Sequence, residues 1–200
     1  MSDHLEHLNE MYASGPVPWD QPDPPPEVLA FAPTLPPGRA LDLGCGLGRA
    51  SIYLGRLGWQ VDGIDFIPQA IETARQRAQA AGVSGLTFHL GPVTAMPYLT
   101  GPYDLAIDVG CVHNFSDAEL SAYHAELLRL LRPGGVYLLF AHLSQAEGER
   151  WLWEPTLQGI FANGFQVERA EYGQTTVGDE TWRSAWFWFR RVGDSKASNL

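Results

Sequence analysis

The sequence is short of the features that mark secreted, membrane-embedded or nucleic-acid-binding chains. Cysteine occurs only twice, at Cys45 and Cys111, and the two form no C-x-x-C pair. A disulfide framework is therefore not expected. The six histidines are scattered at positions 4, 7, 89, 113, 124 and 142. No metal-ligand set emerges from them, and His4 and His7 read as a solvated helix face. Basic residues are few, with 13 Lys and Arg against 23 Asp and Glu, a net charge of −10. Such a chain lacks the basic footprint that non-specific nucleic-acid binding needs, so no nucleic-acid partner is expected. No apolar run reaches the roughly 18 residues that a membrane span requires. No basic region followed by an apolar run opens the chain, so no secretory signal is expected. The expectation is a cytoplasmic protein without a membrane partner, and no feature of the sequence fixes its oligomeric state.

The length of 200 residues, with 45% apolar and 18% charged residues, fits one ordinary globular domain. Its most informative stretch is Arg39 to Gly48, RALDLGCGLG. Ala40, Leu41 and Leu43 read as a short strand, Gly44, Gly46 and Gly48 as a glycine-rich turn, and a helix follows from about Arg49. A strand, a glycine turn and a helix N-terminus form a nucleotide-binding corner. A dinucleotide fingerprint needs G-x-G-x-x-G or a final Ala, but counting from Gly44 the third position is Arg49. The spacing is G-x-G-x-G, with Asp42 two residues ahead. In this the chain resembles the class I S-adenosylmethionine-dependent methyltransferases, whose first motif is an acidic residue followed by G-x-G-x-G. The resemblance implies that Asp42, Gly44, Cys45, Gly46 and Gly48 lie against the methionine end of the cofactor. Read without the resemblance, the stretch is a plain tight turn.

Ahead of this motif, residues 3 to 13 read as a short helix, with Asp3 and Glu6 as a capping box and Leu5, Leu8 and Tyr12 near one face. Residues 14 to 28, SGPVPWDQPDPPPEV, carry enough proline to enforce an extended connection. The segment is either a linker or, as the P-W-D and P-P-P-E pieces imply by their similarity to the thiopurine and tellurite-resistance branch of small-molecule methyltransferases, a cap that folds over the cofactor with Trp19. Glu27 to Thr34 reads as a helix that Pro36, Pro37 and Gly38 end.

Beyond the motif, residues 49 to 57 read as a helix and Gln60 to Ile64 as a second strand, with Asp65 at its C-terminal end. Asp65 can cap the helix that Pro68 opens, or accept the ribose hydroxyls of an adenosine. Phe66 follows and could pack on the adenine. Residues 68 to 81 carry Ile71, Ala74, Ala78 and Ala81 at helical spacing, and Leu86 to Leu90 reads as a third strand. The family commonly has an acid near position 92 that meets the adenine amino group. Pro92 departs from that pattern, which leaves adenine recognition to Val93 and Thr94.

Tyr103 to Val109 reads as a buried parallel strand. The segment Asp108-Val109-Gly110-Cys111-Val112-His113 resembles the fourth methyltransferase motif. The resemblance implies that Asp108 and Val109 border the sulfonium and methionine portion. His113 is a base, a substrate contact or a core histidine. Ser116 and Glu119 form a capping box for a helix running to about Arg132, which Pro133-Gly134-Gly135 would stop before a fifth strand, Val136 to His142. Leu-Arg-Pro-Gly-Gly before a strand is a further family feature. Trp151 and Trp153 are either core or pocket lining. A helix carrying Leu157, Ile160 and Phe161 follows. Phe165 to Tyr172 and Thr181 to Arg191 read as strands, with a hairpin loop at 173–179 between them.

The fold expected is α/β: a single Rossmann-like methyltransferase domain, residues 1–192, with a seven-stranded, mostly parallel sheet, a terminal antiparallel strand and helices on both faces. Residues 1–34 are its cap segment, 39–192 its core and 193–200 a disordered tail. The function implied is methylation of a small-molecule acceptor, with S-adenosyl-L-methionine as cofactor and S-adenosyl-L-homocysteine as product. A non-catalytic cofactor-binding module fits the same glycine motif. A nicotinamide-dependent oxidoreductase fits less well, because of Arg49 and the terminal strand pair.

Overall fold

A computed structural model describes residues 2–15, 17–177 and 179–193, without the side chains of 2–6 and 177. The Asp3–Glu6 capping box, His4 and the tail at 194–200 lie outside the described residues. The seven strands form one mixed sheet in the order β3-β2-β1-β4-β5-β7-β6. The chain divides into two compact units, one ending at Val93 and one beginning at Thr94.

The first unit contains α1 (Ser2–Ser14), α2 (Pro26–Phe31) with a 3-10 turn at Ala32–Thr34, β1 (Arg39–Leu43), α3 (Arg49–Arg56), β2 (Gln60–Asp65), α4 (Pro68–Ala80) and β3 (Leu86–Leu90). Its strands are parallel, paired from Arg39↔Gln60 to Leu43↔Ile64 and from Val61↔Leu86 to Asp65↔Leu90. Residues 40 to 43 are all buried, as in a parallel strand covered on both faces. The small residues of α4 let it approach closely: Ile71, Ala74 and Ala78 pack with Cys45, Ile52 and Phe88. The register leaves Asp65 as the last residue of β2, at the C-terminal edge where open α/β sheets bind ligands.

The second unit contains β4 (Tyr103–Val109), α5 (Asp117–Leu130), β5 (Leu131–Leu143), α6 (Glu154–Phe161), β6 (Phe165–Val177) and β7 (Glu180–Arg191). β4 and β5 are parallel, and β7 runs antiparallel to both β5 and β6. Side chains alternate across the β5–β7 ladder. Tyr137 stacks on Phe189 and Phe161 on one face, while Phe140 and His142 meet Trp186 and Trp182 on the other.

Two boundaries differ from expectation. The helix α5 ends at Leu130 and the strand begins at once, so Pro133-Gly134-Gly135 lies in a bulge between the pairs Tyr103↔Leu131 and Leu105↔Val136. Pro133 has no N–H to give a ladder, which makes a bulge its natural place. Of the loop expected at 173–179, residues 173–177 are ladder, paired from Gly173↔Ser184 to Val177↔Glu180. Cross-strand hydroxyl contacts hold it, Thr176 to Thr181 at 2.9 Å and Thr175 to Ser184 at 3.0 Å.

The Ser116–Glu119 capping box is present, each partner satisfying an otherwise orphaned donor of the other. Ser116→Ala is expected to lower the stability of the protein by about 1 kcal/mol, read as a lower denaturant midpoint at constant slope. An unchanged midpoint would show that the cap contributes nothing.

Candidate functional site

The glycine corner of the first unit is a backbone surface held by two buried acids. Gly44, Gly46 and Gly48 take φ values of 68°, 52° and 82°, the left-handed region that favours glycine. A Cβ at Gly46 would stand 3.2 Å from the Tyr12 hydroxyl, and one at Gly48 would stand 3.0 Å from the Ala74 Cβ. Asp42 Oδ2 accepts from the Ser51 N–H at 2.9 Å and the Ser51 hydroxyl at 2.6 Å, clamping the first turn of α3 to β1. Asp65 Oδ2 accepts from the Gly46 N–H at 2.9 Å and its Oδ1 from the Ile67 N–H at 2.9 Å. Asp65 thus caps the approach to α4 and also ties the glycine loop to the end of β2. Burial raises both carboxyls above the usual range, Asp42 to about 6, against the lowering effect of their hydrogen bonds.

The proline-rich segment is packed onto this unit. The Trp19 indole N–H donates to the Tyr12 hydroxyl at 3.0 Å, with the rings edge to face at 6.0 Å. Tyr12, Val17, Ile67 and Ala70 form a buried cluster that Leu8, Leu47 and Phe66 join. Arg77 holds both carboxylate oxygens of Asp20, at 2.6 and 2.8 Å, and Arg49 donates to the Asp23 carbonyl at 3.3 Å. Tyr12 is a site residue that sequence reasoning missed. Its helix face was legible, but not the return of the chain that brings its hydroxyl to Gly46. Burial raises the Tyr12 pKa, so it stays a neutral hydroxyl. Val93 is buried and Thr94 half-buried, just past β3.

In the second unit Asp108 is 0% exposed. Its Oδ1 accepts from the Cys111 N–H at 2.7 Å and its Oδ2 from the Tyr123 hydroxyl at 2.9 Å. Having given its one proton to Asp108, the Tyr123 hydroxyl accepts from that of Tyr137 at 3.1 Å. Through these bonds Asp108 fixes the turn after β4. Val109, the half-buried last residue of β4, leads into that turn.

His113 follows on a single 3-10 turn, Val112–Asn114. Its ring stacks on that of His142 at 4.7 Å, and its Nδ1 accepts from the His142 backbone N–H at 3.4 Å. With Nδ1 as acceptor, the neutral ring carries its proton on Nε2. Trp151 meets both histidines edge to face, at 5.1 and 4.8 Å. Trp182 lies 5.3 Å from His142 and 5.2 Å from Trp151. Trp151 rides on a loop that the Ser144–Leu152 and Leu152–His142 backbone bonds fold back onto β5. Beside it is a cavity of about 200 Å³ lined by Phe115, Glu147, Trp151, Trp153 and Thr156, among others. The pocket role considered for Trp151 and Trp153 has this placement behind it. His142 and Trp182 were missed, because only the β5–β7 register brings them together. Among the described residues no group of acidic, histidine or cysteine side chains is arranged to hold a metal ion.

The raised Asp42 carboxyl has a consequence for stability. Its pKa in the fold, about 6, exceeds the ordinary 3.8, so the folded state loses stability as pH rises from about 4 through 6. Asp42→Asn has no such ionisation. Between pH 4 and 7.5 its stability relative to wild type is expected to shift in the variant's favour by on the order of 2–3 kcal/mol, read from denaturant titrations at each pH. A difference that does not vary with pH would contradict this.

Comparison with known proteins agrees with the geometry. A methyltransferase-domain family model matches residues 40–135. An uncharacterised methyltransferase of Synechocystis sp. is 34% identical over 147 residues, covering 73% of this chain and 63% of that protein. The 2-heptyl-1-hydroxyquinolin-4(1H)-one methyltransferase of Mycobacteroides abscessus is 27% identical, covering 76% and 69%. The chain spans between 42% and 63% of the length of three curated relatives, the Synechocystis protein included. A structure solved in work on the conversion of a disulfide bond into a thioacetal group during echinomycin biosynthesis superposes with a TM-score of 0.81 at 25% identity, covering 96% of this chain and 93% of that one. With the acid-led glycine loop, the strand-end Asp65 and the sheet order on the same chain, these matches support reading the protein as a class I S-adenosylmethionine-dependent methyltransferase.

Proposed function

We propose that this chain binds S-adenosyl-L-methionine and methylates a small-molecule acceptor, releasing S-adenosyl-L-homocysteine. The observation that carries the reading is the glycine loop tied through the Gly46 N–H to Asp65 at the end of β2. The loop fits such a cofactor: three glycines leave its backbone bare, and the N-terminus of α3 follows directly. Held there by the glycine loop and Asp65, the cofactor would supply a methyl group activated on a sulfonium, to be displaced in line by the acceptor's lone pair with the thioether as leaving group.

The residues then have positional tasks. Gly44, Cys45, Gly46 and Gly48 present the backbone to the methionine end, and Asp42 keeps α3 in place under it. A carboxylate has about four acceptor directions, so Asp65 keeps acceptor capacity for a ribose hydroxyl beyond its bonds to Gly46 and Ile67. Phe66, Val93 and Thr94 serve the adenine in place of the acid that Pro92 replaces, and Trp19 with Tyr12 covers the loop. In-line displacement from a sulfonium needs mainly positioning of the acceptor. His113, with its proton on Nε2, contributes as a hydrogen-bond donor. The acidic chain and the name of the quinolone-methylating relative support a small acceptor over a nucleic acid. No described helix is long and apolar enough to cross a membrane, and we assign the activity to the cytoplasm.

Asp65→Asn is expected to weaken S-adenosylhomocysteine binding about ten- to a hundredfold, the loss of a hydrogen bond to a charged acceptor, measured by calorimetry. An unchanged dissociation constant would remove Asp65 from the site. Release of S-adenosylhomocysteine in a screen of thiols, phenols, heterocycles and oxyanions tests the transfer itself. Binding without release from any acceptor would make the chain a non-catalytic binding module.

A further inference from the structure

The end of β5 leaves two buried polar atoms with no hydrogen-bond partner, His142 Nδ1 and Ser144 Oγ. Both side chains are more than nine-tenths buried, His142 at 8% and Ser144 at 4% exposure. Leaving a buried polar atom unsatisfied is costly, and native structures retain few without a reason. Ser144 is the first residue past β5, two on from His142, and the His142 side of the strand is walled by rings. His113 stacks on His142, and Trp151 and Trp182 stand within 5.3 Å of it. These three wall residues are half-buried, so the cluster has an open edge. The Arg150 guanidinium lies over Trp151 at 4.3 Å and over Trp182 at 5.7 Å, placing positive charge at the rim. Glu149 on the same loop is turned to the Gln145 and Ala146 amides, at 2.8 and 3.1 Å.

We propose that His113, Trp151 and Trp182, above the orphaned atoms of His142 and Ser144, form the acceptor slot and select a planar aromatic ring system that carries a hydroxyl or oxo group. The walls supply offset or edge-to-face contacts to a flat ring. Ser144 can donate or accept, and His142 Nδ1 presents a second polar position, so one oxygen-bearing ring edge satisfies both. Arg150 favours the electron-rich or ionised oxygen over a protonated amine. The inference deepens the methyl-transfer reading and rests on it for the word acceptor; the slot itself is testable by binding alone.

The test uses the full chain saturated with S-adenosylhomocysteine and titrates 4-hydroxyquinoline, 2-naphthol and cyclohexanol, following tryptophan fluorescence and calorimetric heat. At least one of the two bicyclic aromatics is expected to bind at least about tenfold more tightly than cyclohexanol. Trp182→Ala and Ser144→Ala are expected to weaken that binding about tenfold or more while cofactor affinity stays within about twofold, and Trp182→Phe is expected to retain most of it. Cofactor binding with no preference for the aromatic probes would overturn the slot and leave the methyl-transfer reading intact, as would an aromatic preference that survives both alanine variants. Aromatic binding lost in the variants, in a protein that does not bind the cofactor product, would uphold the slot and overturn the methyl-transfer reading.

Discussion

The structure depends on the hydrogen bonds that Asp65 receives from Gly46 and Ile67. A single buried carboxylate closes the glycine loop against the end of β2 and sets the entry to α4. With the Cys45 N–H bonded to the Ile64 carbonyl and the Gly48 N–H to the Cys45 carbonyl, it holds three conformationally permissive glycines in one arrangement. Burial raises the Asp65 pKa while the backbone donors oppose that rise. The loop thus holds a carboxylate that is costly to ionise in the fold, the kind of group that perturbed titration associates with ligand sites.

The cap builds on the same tether. Ile67, whose N–H meets Asp65, is also part of the cluster that buries Tyr12 and Val17. The Tyr12 hydroxyl accepts from Trp19 and stands where a side chain at Gly46 would have to go. Closing the loop and seating the cap are therefore linked through adjacent residues. The Asp20–Arg77 pair is half-exposed and ranks behind this packing, since exposed ion pairs contribute little after solvent screening. In the second unit Asp108 plays a comparable part, joining the turn after β4 to Tyr123 and, through it, to Tyr137.

Much of this was legible in the sequence because its signals are local. Aliphatic runs marked β1 and β4, the G-x-G-x-G spacing marked the turn, and an acid closing a strand 19 residues after Gly46 marked Asp65. What escaped depends on distant parts of the chain. Tyr12 could be placed on a helix face, but its approach to Gly46 needs the whole proline segment to fold back. The bond of Asp108 to Tyr123, 15 residues on, has no local sign. His142 and Trp182 meet diagonally across β5 and β7, in a register that no local sequence signal gives. The threonines at 175, 176 and 181 were the overlooked sign of a continuing ladder.

The glycine spacing and Arg49 separate a methyl-donor site from a dinucleotide site, and a direct comparison of ligands tests that distinction. The decisive measurement is calorimetric titration of the full chain with S-adenosylhomocysteine and, separately, with NADH under the same conditions. The account predicts saturable one-to-one heat with S-adenosylhomocysteine and none with NADH. Saturable binding of NADH together with no heat from S-adenosylhomocysteine would contradict it.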